Sequence, residues 1–207
     1  MSEIMKGRQF TPEEIEEKCI WRFKDRKFMG AGEKKKEGPI PRDVYKMLAA
    51  PAFAVSCPED DNGVWGEAKV KCPDYVNIIA ECEPGDGPPL HMHYKTVETF
   101  MALTGKWKLQ WGDQGEFETI LEPFDLFAVP AGVSRRFENA GTEKAYLLVL
   151  ISGGTHDMDD LNYAPEVGKD IEDQFGGAVR KHTEAVGFRF TAGIDGKNAK
   201  AVPVPAE

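Results

Sequence analysis

Hydrophobic and polar positions alternate in short runs between residues 66 and 152. The runs are rich in β-branched and aromatic residues, and Gly, Pro, Asp or Asn interrupts them about every eight to twelve residues, which is typical of antiparallel sheets. Trp107, Leu109 and Trp111 alternate with polar neighbours and predict a strand with one buried face. The predicted strands span residues 67–72, 75–81, 90–93, 97–103, 106–111, 117–121, 125–129, 135–139 and 145–152. The spacing predicts an all-β domain, either a sandwich or a barrel.

Short helices are predicted on both sides of this β-rich region. Thr11 followed by Pro12 and a run of glutamates is a helix start, and it predicts a helix over 12–19. A second helix is predicted over 42–49, before Pro51, and a third over 165–175, from Pro165 to the glycines that follow. We therefore divide the chain into an N-terminal extension (1–65), a β domain (66–152) and a C-terminal helical extension and tail (153–207).

Composition and charge exclude some classes of binding partner and location. The chain of 207 residues has 26 Lys and Arg against 35 Asp and Glu, a formal net charge of −9, which disfavours nucleic acid or an anionic membrane surface as a partner. Its apolar stretches are far shorter than the roughly 20 residues of a membrane-spanning helix. The first residues lack the apolar core of a secretory signal, so we expect a cytoplasmic protein. The four cysteines form no C-x-x-C pair, which argues against a zinc ribbon.

Two of the four histidines, His91 and His93, stand two residues apart on a predicted strand. Side chains at that spacing point to the same face, so both imidazoles can reach one point. Glu98 lies an odd number of residues further on, and the chain must bend or bulge after His93 if this carboxylate is to join them. Two imidazoles and a carboxylate are a suitable ligand set for a borderline divalent metal.

The same residues resemble the first motif of the cupins, a family of small antiparallel β-barrels. That motif, G-x(5)-H-x-H-x(4)-E-x(6)-G, is matched at each fixed position by Gly85, His91, His93, Glu98 and Gly105. The resemblance implies a cupin-type, jelly-roll-like antiparallel barrel over about residues 66–152. It also implies a homodimer, since family members commonly pair their sheets.

The second cupin motif, G-x(5)-P-x-G-x(2)-H-x(3)-N, is matched only in part. Pro130, Gly132 and Asn139 are in place. Phe124 stands where the first glycine belongs, and Arg135 stands where the family has its fourth metal ligand, a histidine.

Arg135 has no lone pair and stays charged, so it cannot coordinate a metal ion. Three arrangements are open: Arg135 points away from the site, or it pairs with Glu98 in a site that has lost its metal, or an anionic substrate lies between it and the metal. His156, in the segment after the last predicted strand, is a candidate replacement ligand.

The resemblance implies a metal-dependent enzyme that acts on a small organic substrate, in the first place a non-haem dioxygenase, with isomerase or lyase chemistry next. His91, His93 and Glu98 would hold Fe(II), or Mn, Ni or Zn, and Arg135 is predicted to orient a carboxylate or phenolate of the substrate. The alternative is a metal-free or non-catalytic cupin that binds a small metabolite.

Overall fold

A computed structural model describes residues 10–30, 36–58, 68–153 and 160–192. Its helices are α1 (Pro12–Lys18), α2 (Arg42–Leu48), α3 (Pro165–Phe175) and α4 (Gly177–Val186), with a 3₁₀ turn at Phe23–Asp25. Its strands are β1 (Ala52–Cys57), β2 (Val70–Lys71), β3 (Tyr75–Cys82), β4 (His91–His93), β5 (Val97–Ala102), β6 (Trp107–Trp111), β7 (Phe117–Leu121), β8 (Leu126–Val129), β9 (Arg135–Asn139), β10 (Ala145–Ser152) and β11 (Leu161–Tyr163).

The strands form two sheets that pack face to face. The first has the order β2-β1-β3-β10-β5-β8 and the second the order β11-β4-β9-β6-β7, and the paired strands are antiparallel except β1 with β2. Phe100 of the first sheet and Phe137 of the second meet edge to face, with ring centroids 5.4 Å apart. The predicted all-β, jelly-roll-like architecture with short helical extensions is confirmed.

Alternation of side chains builds the core between the sheets. Every second residue of β10, from Ala145 to Ile151, is buried, and β5 and β9 show the same period of two. Trp107 and Leu109 of β6 are fully buried, as their alternation predicted. The inward face of these alternating strands therefore fixes their register, because a slip of one residue would turn that face to solvent.

A second hydrophobic cluster joins the two extensions at one end of the sheets. Val44 and Leu48 of α2 pack with Tyr163 of β11, Ile171 of α3 and Phe188 after α4. The Tyr163 hydroxyl donates a hydrogen bond to the Leu48 carbonyl, 2.7 Å away. The N-terminal and C-terminal helices thus share one small core of their own.

Most predicted elements are confirmed to within one or two residues, but two strands and the helix α4 were missed. Strand β1 lies next to β3, inside the first sheet, although its segment was assigned to the N-terminal extension. Strand β11 follows the β domain and pairs with β4. The predicted strand 67–72 is reduced to the two residues of β2 within the part that the structure describes. The boundaries 1–65, 66–152 and 153–207 stay predictions.

Among the described residues, no helix is long and apolar enough to cross a membrane.

Candidate metal centre

Strand β4 carries the two histidines on the inner face of the second sheet. Both are buried, and their ring centroids lie 5.6 Å apart in an edge arrangement. His91 pairs with Tyr163 of β11 on one side and with Arg135 of β9 on the other. This short strand therefore directs both imidazoles into the space between the sheets, as the two-residue spacing predicted.

Glu98 reaches the histidines from the opposite sheet. It lies on β5, between Ile151 of β10 and Val129 of β8. The chain leaves the second sheet after His93 and enters the first sheet at β5, so the odd offset of Glu98 does not turn it away. The bend predicted between His93 and Glu98 is this crossing from one sheet to the other.

Three ligand atoms, one from each side chain, lie within 4.8 Å of one another. Glu98 Oε2 is 3.5 Å from His91 Nε2 and 3.8 Å from His93 Nε2. Metal–ligand bonds of about 2.1 Å place ligand atoms roughly 3 to 3.5 Å apart, so a small contraction would bring the three atoms to bonding distance of one ion.

The hydrogen bonds of the two imidazoles define their tautomers. His91 Nδ1 lies 2.9 Å from the Pro89 carbonyl, which can only accept, so this nitrogen carries the proton and donates. His93 Nδ1 donates in the same way to Asp160 Oδ2, at 2.8 Å. In the neutral rings each Nε2 then has a free lone pair that faces Glu98. Three electron-pair donors converge there, which is the arrangement that a cation stabilises.

Asp160 holds this corner of the site together, and the sequence analysis missed it. Besides His93, it accepts hydrogen bonds from the Thr96 hydroxyl and from the backbone N–H groups of Lys95 and Thr96. The carboxylate thus fixes both the orientation of one imidazole and the crossing segment that leads to Glu98. Asp160 is 67 residues from His93 in sequence, and no local motif marks it.

Arg135 lies beside the cluster and is fully buried. Its Nε donates to Glu98 Oε2 at 2.9 Å, and its Nη1 donates to the Val133 carbonyl at 3.0 Å. The arrangement in which Arg135 points away from the site is therefore wrong. Its Nη2 is buried and has no hydrogen-bond partner among the described residues.

The charges of the site follow from burial and from this ion pair. Burial raises the pKa of Glu98. Arg135, and then the two imidazoles, lower it by more than burial raises it, so the net pKa lies well below its usual range. Burial lowers the pKa of His93, and the Arg135 charge adds to this effect. The site therefore favours a carboxylate and a neutral His93, which are the protonation states that a metal ion requires.

The residues present fit a divalent transition metal. The carboxylate of Glu98 has about four lone-pair sites, so the bond from Arg135 does not exhaust it. His91, His93 and Glu98 are brought together as the sequence predicted, whereas His156 lies outside the described residues. Arg135 adds a positive charge close to the site, which opposes a cation and limits the charge that the site can take without an added anion.

Comparisons with known proteins agree with this fold. Residues 78–151 match the family model described as a cupin domain. Among curated proteins, none matches the chain.

Solved structures resemble part of the chain. A conserved protein with a double-stranded β-helix domain from Klebsiella pneumoniae is 20% identical, with a TM-score of 0.38, over 41% of this chain and 72% of its own. TT1209 from Thermus thermophilus is 24% identical, with a TM-score of 0.37, over 40% and 75%. The cupin domain of Schizosaccharomyces pombe Cnp3 is 20% identical, with a TM-score of 0.36, over 39% and 57%.

Proposed function

We propose, on the premise that residues 78–151 belong to the cupin superfamily, that this chain is a metal-dependent enzyme acting on a small organic substrate. His91, His93 and Glu98 hold one divalent transition metal, Fe(II) in the first place and Mn, Ni or Zn otherwise. The observation that carries the proposal is the convergence of three buried ligand atoms, one each from His91, His93 and Glu98, to within 4.8 Å of one another. Non-haem dioxygenase chemistry is the preferred class, and isomerase or lyase chemistry is the next.

The bound metal would act as a Lewis acid or as an activator of oxygen. The chain's own residues prepare the site for it. Asp160 and the Pro89 carbonyl orient the two rings, and Arg135 keeps Glu98 ionised and points it toward them. The packed sheets exclude bulk water, which strengthens every electrostatic interaction between these groups.

Arg135 is first of all a positioning residue in this proposal. Its Nε is committed to Glu98, so a substrate carboxylate or phenolate would have to bind the remaining nitrogen, Nη2. That nitrogen is buried and lacks a partner among the described residues, which favours an anion, but Arg135 does not line the cavity that His91, His93 and Glu98 border. The contact itself stays a prediction.

The metal content of the purified protein tests the proposal. We expect close to one divalent transition metal per chain when the protein is prepared without a chelator, and His91→Ala and His93→Ala to lose it while keeping the fold. His182→Ala, on α4, is the matched control and should keep the metal. A double variant at His91 and His93 with undiminished metal would exclude this site.

A second candidate function is a metal-free cupin that binds a metabolite without turnover. The specific observation in its favour is the buried ion pair between Arg135 and Glu98, which balances the charge of the site without a metal. A purified wild type with no metal, which also takes up none on dialysis, would favour this reading.

Oxygen consumption separates the preferred reaction class from the next one. A dioxygenase consumes oxygen together with its substrate, whereas an isomerase or lyase turns over equally well without oxygen. The cytoplasmic location and the homodimer belong to the proposal as predictions.

A further inference from the structure

A cavity of about 100 Å³ opens beside the candidate metal centre. His91, His93 and Glu98 line one end of it, and the rest of the lining is apolar apart from the tyrosines 45 and 163. Protein interiors are normally packed without voids larger than a water molecule, so a space of this size beside a polar cluster has room for a small ligand.

Small side chains make this space. Ala49 and Ala50 come from the segment after α2, Ala52 from β1 and Ala80 from β3, and all four line the cavity. Ala52 and Ala80 are directly paired across the two strands. A larger residue at either position would reach into the cavity. The alanines therefore set how large a ligand can be.

The wall away from the metal centre offers little to a polar ligand. The Tyr163 hydroxyl already donates to the Leu48 carbonyl, and its ring lies over His91 with centroids 5.8 Å apart. Arg135 does not line the cavity. Apart from the two tyrosines, the lining at this end is apolar and uncharged, so a charged group buried here would lack an ionic partner, which is costly.

We propose that the site selects a small ligand with one polar head and an apolar body, the head at His91, His93 and Glu98 and the body against the alanines. An apolar cavity of roughly 150 Å³ holds benzene, so a cavity of this size holds a ligand on the order of four to six non-hydrogen atoms. The location of the head rests on the proposed function, whereas the location of the body does not. Arg135 acts on the site through its hydrogen bond to Glu98, and it places no charge against the body of the ligand because it does not line the cavity.

Two series of probes test the proposal. On protein loaded with Mn(II), the dissociation constants of acetate, propanoate, butanoate and succinate are measured by calorimetry. We expect about a fourfold tighter Kd per added methylene from acetate to butanoate. Succinate should bind more weakly than butanoate, because its second carboxylate would be buried against apolar side chains. On chelator-stripped protein, ethanol and 1-butanol probe the apolar end without the metal.

Matched variants on one strand provide the control. Ala52→Val fills the cavity and should remove the gain from acetate to butanoate, with the metal content unchanged. Ala54→Val, two residues further along β1, alters a buried alanine that does not line this cavity, and it should keep the gain. Ala80→Val provides a second filling variant if the first does not fold.

The outcomes separate the two claims. One outcome would refute the metal-dependent function and keep the apolar subsite. In it, the wild-type protein binds no metal, its chelator-stripped form binds 1-butanol more tightly than ethanol, and Ala52→Val abolishes this preference. Equal affinities for acetate and butanoate, a succinate that binds as tightly as butanoate, or an Ala52→Val variant that behaves like Ala54→Val would overturn the proposal.

Discussion

Asp160 is the residue on which the geometry of the candidate centre depends most, after the three ligands themselves. It fixes His93 through Nδ1 and holds the crossing segment through the N–H groups of Lys95 and Thr96. Partners of this kind are commonly worth a factor of 10 to 100 in metal affinity, because they set the ring orientation and the basicity of the ligand nitrogen.

We therefore expect Asp160→Asn to weaken Mn(II) or Zn(II) binding by about 10- to 100-fold, measured by competition with a chromophoric chelator. Asp125→Asn, which alters a carboxylate that caps an exposed turn, should leave the affinity unchanged. Equal affinities of the two variants would show that Asp160 has no part in orienting His93.

His93 makes the stability of the metal-free protein depend on pH. Its pKa lies below the ordinary value of 6.5 because burial and then Arg135 disfavour the charged ring. The unfolded chain therefore binds more protons than the folded one between the lowered pKa and about 6.5, and stability falls as the pH drops through that window. The carboxylates of Glu98 and Asp160, whose pKa values are also lowered, contribute stability that is lost only at more acidic pH.

The melting temperature of chelator-treated protein should accordingly fall between pH 7.5 and pH 5.5. The decrease should be smaller in His93→Gln, whereas His182→Gln should follow the wild type. An unchanged pH dependence in His93→Gln would mean that the buried ring does not resist protonation.

The turn between β7 and β8 contains a strained residue at a position where the second cupin motif has glycine. Phe124, which stands where the family has a glycine, takes a positive φ of 76°. That backbone region is accessible to glycine but strained for a bulky side chain. The ring gains little in return, because Phe124 is largely exposed.

Phe124→Gly should therefore raise the free energy of unfolding by about 1 kcal/mol, measured by urea denaturation. Phe124→Ala removes the ring but keeps the strain, so it should bring no comparable gain. An equal gain in both variants would trace the effect to the exposed ring and not to the backbone.

The sequence predicts a strand correctly where buried and exposed residues alternate. It misses a strand that is buried on both faces, or a short strand whose partner is distant in sequence. Strands β5, β9 and β10 were predictable because one face of each is buried. Strand β1 was missed because nearly every residue in it is buried, so no alternation marks it. Strand β11 has only three residues, and its partner β4 lies far away in sequence.

The same distinction holds within the site. The spacing of His91 and His93 determines their common face, and a bend after His93 was foreseen. That the bend leads into the opposite sheet depends on the topology of the whole domain. The bond between Arg135 and Glu98 was one of three open arrangements, because the direction of a long side chain in a core is set by its surroundings.

The molecule as a whole presents two strand edges with apolar side chains. Strands β7 and β8 end the two sheets, and Phe117, Ile120 and Leu126 on them are exposed. The resemblance to cupins implied a homodimer, and this remains a prediction. Sedimentation equilibrium at micromolar concentration should give twice the mass of the 23.0 kDa chain. A mass of one chain would remove the dimer from the account.

The central claim is that His91, His93 and Glu98 share one metal ion, and anomalous diffraction tests it most directly. Crystals grown with Mn(II) and measured on the high-energy side of the manganese edge should show one strong anomalous peak between the two sheets. Its distances to His91 Nε2, His93 Nε2 and a Glu98 oxygen should be about 2.0 to 2.3 Å. No anomalous density at that position, with Glu98 still bonded to Arg135, would contradict the account.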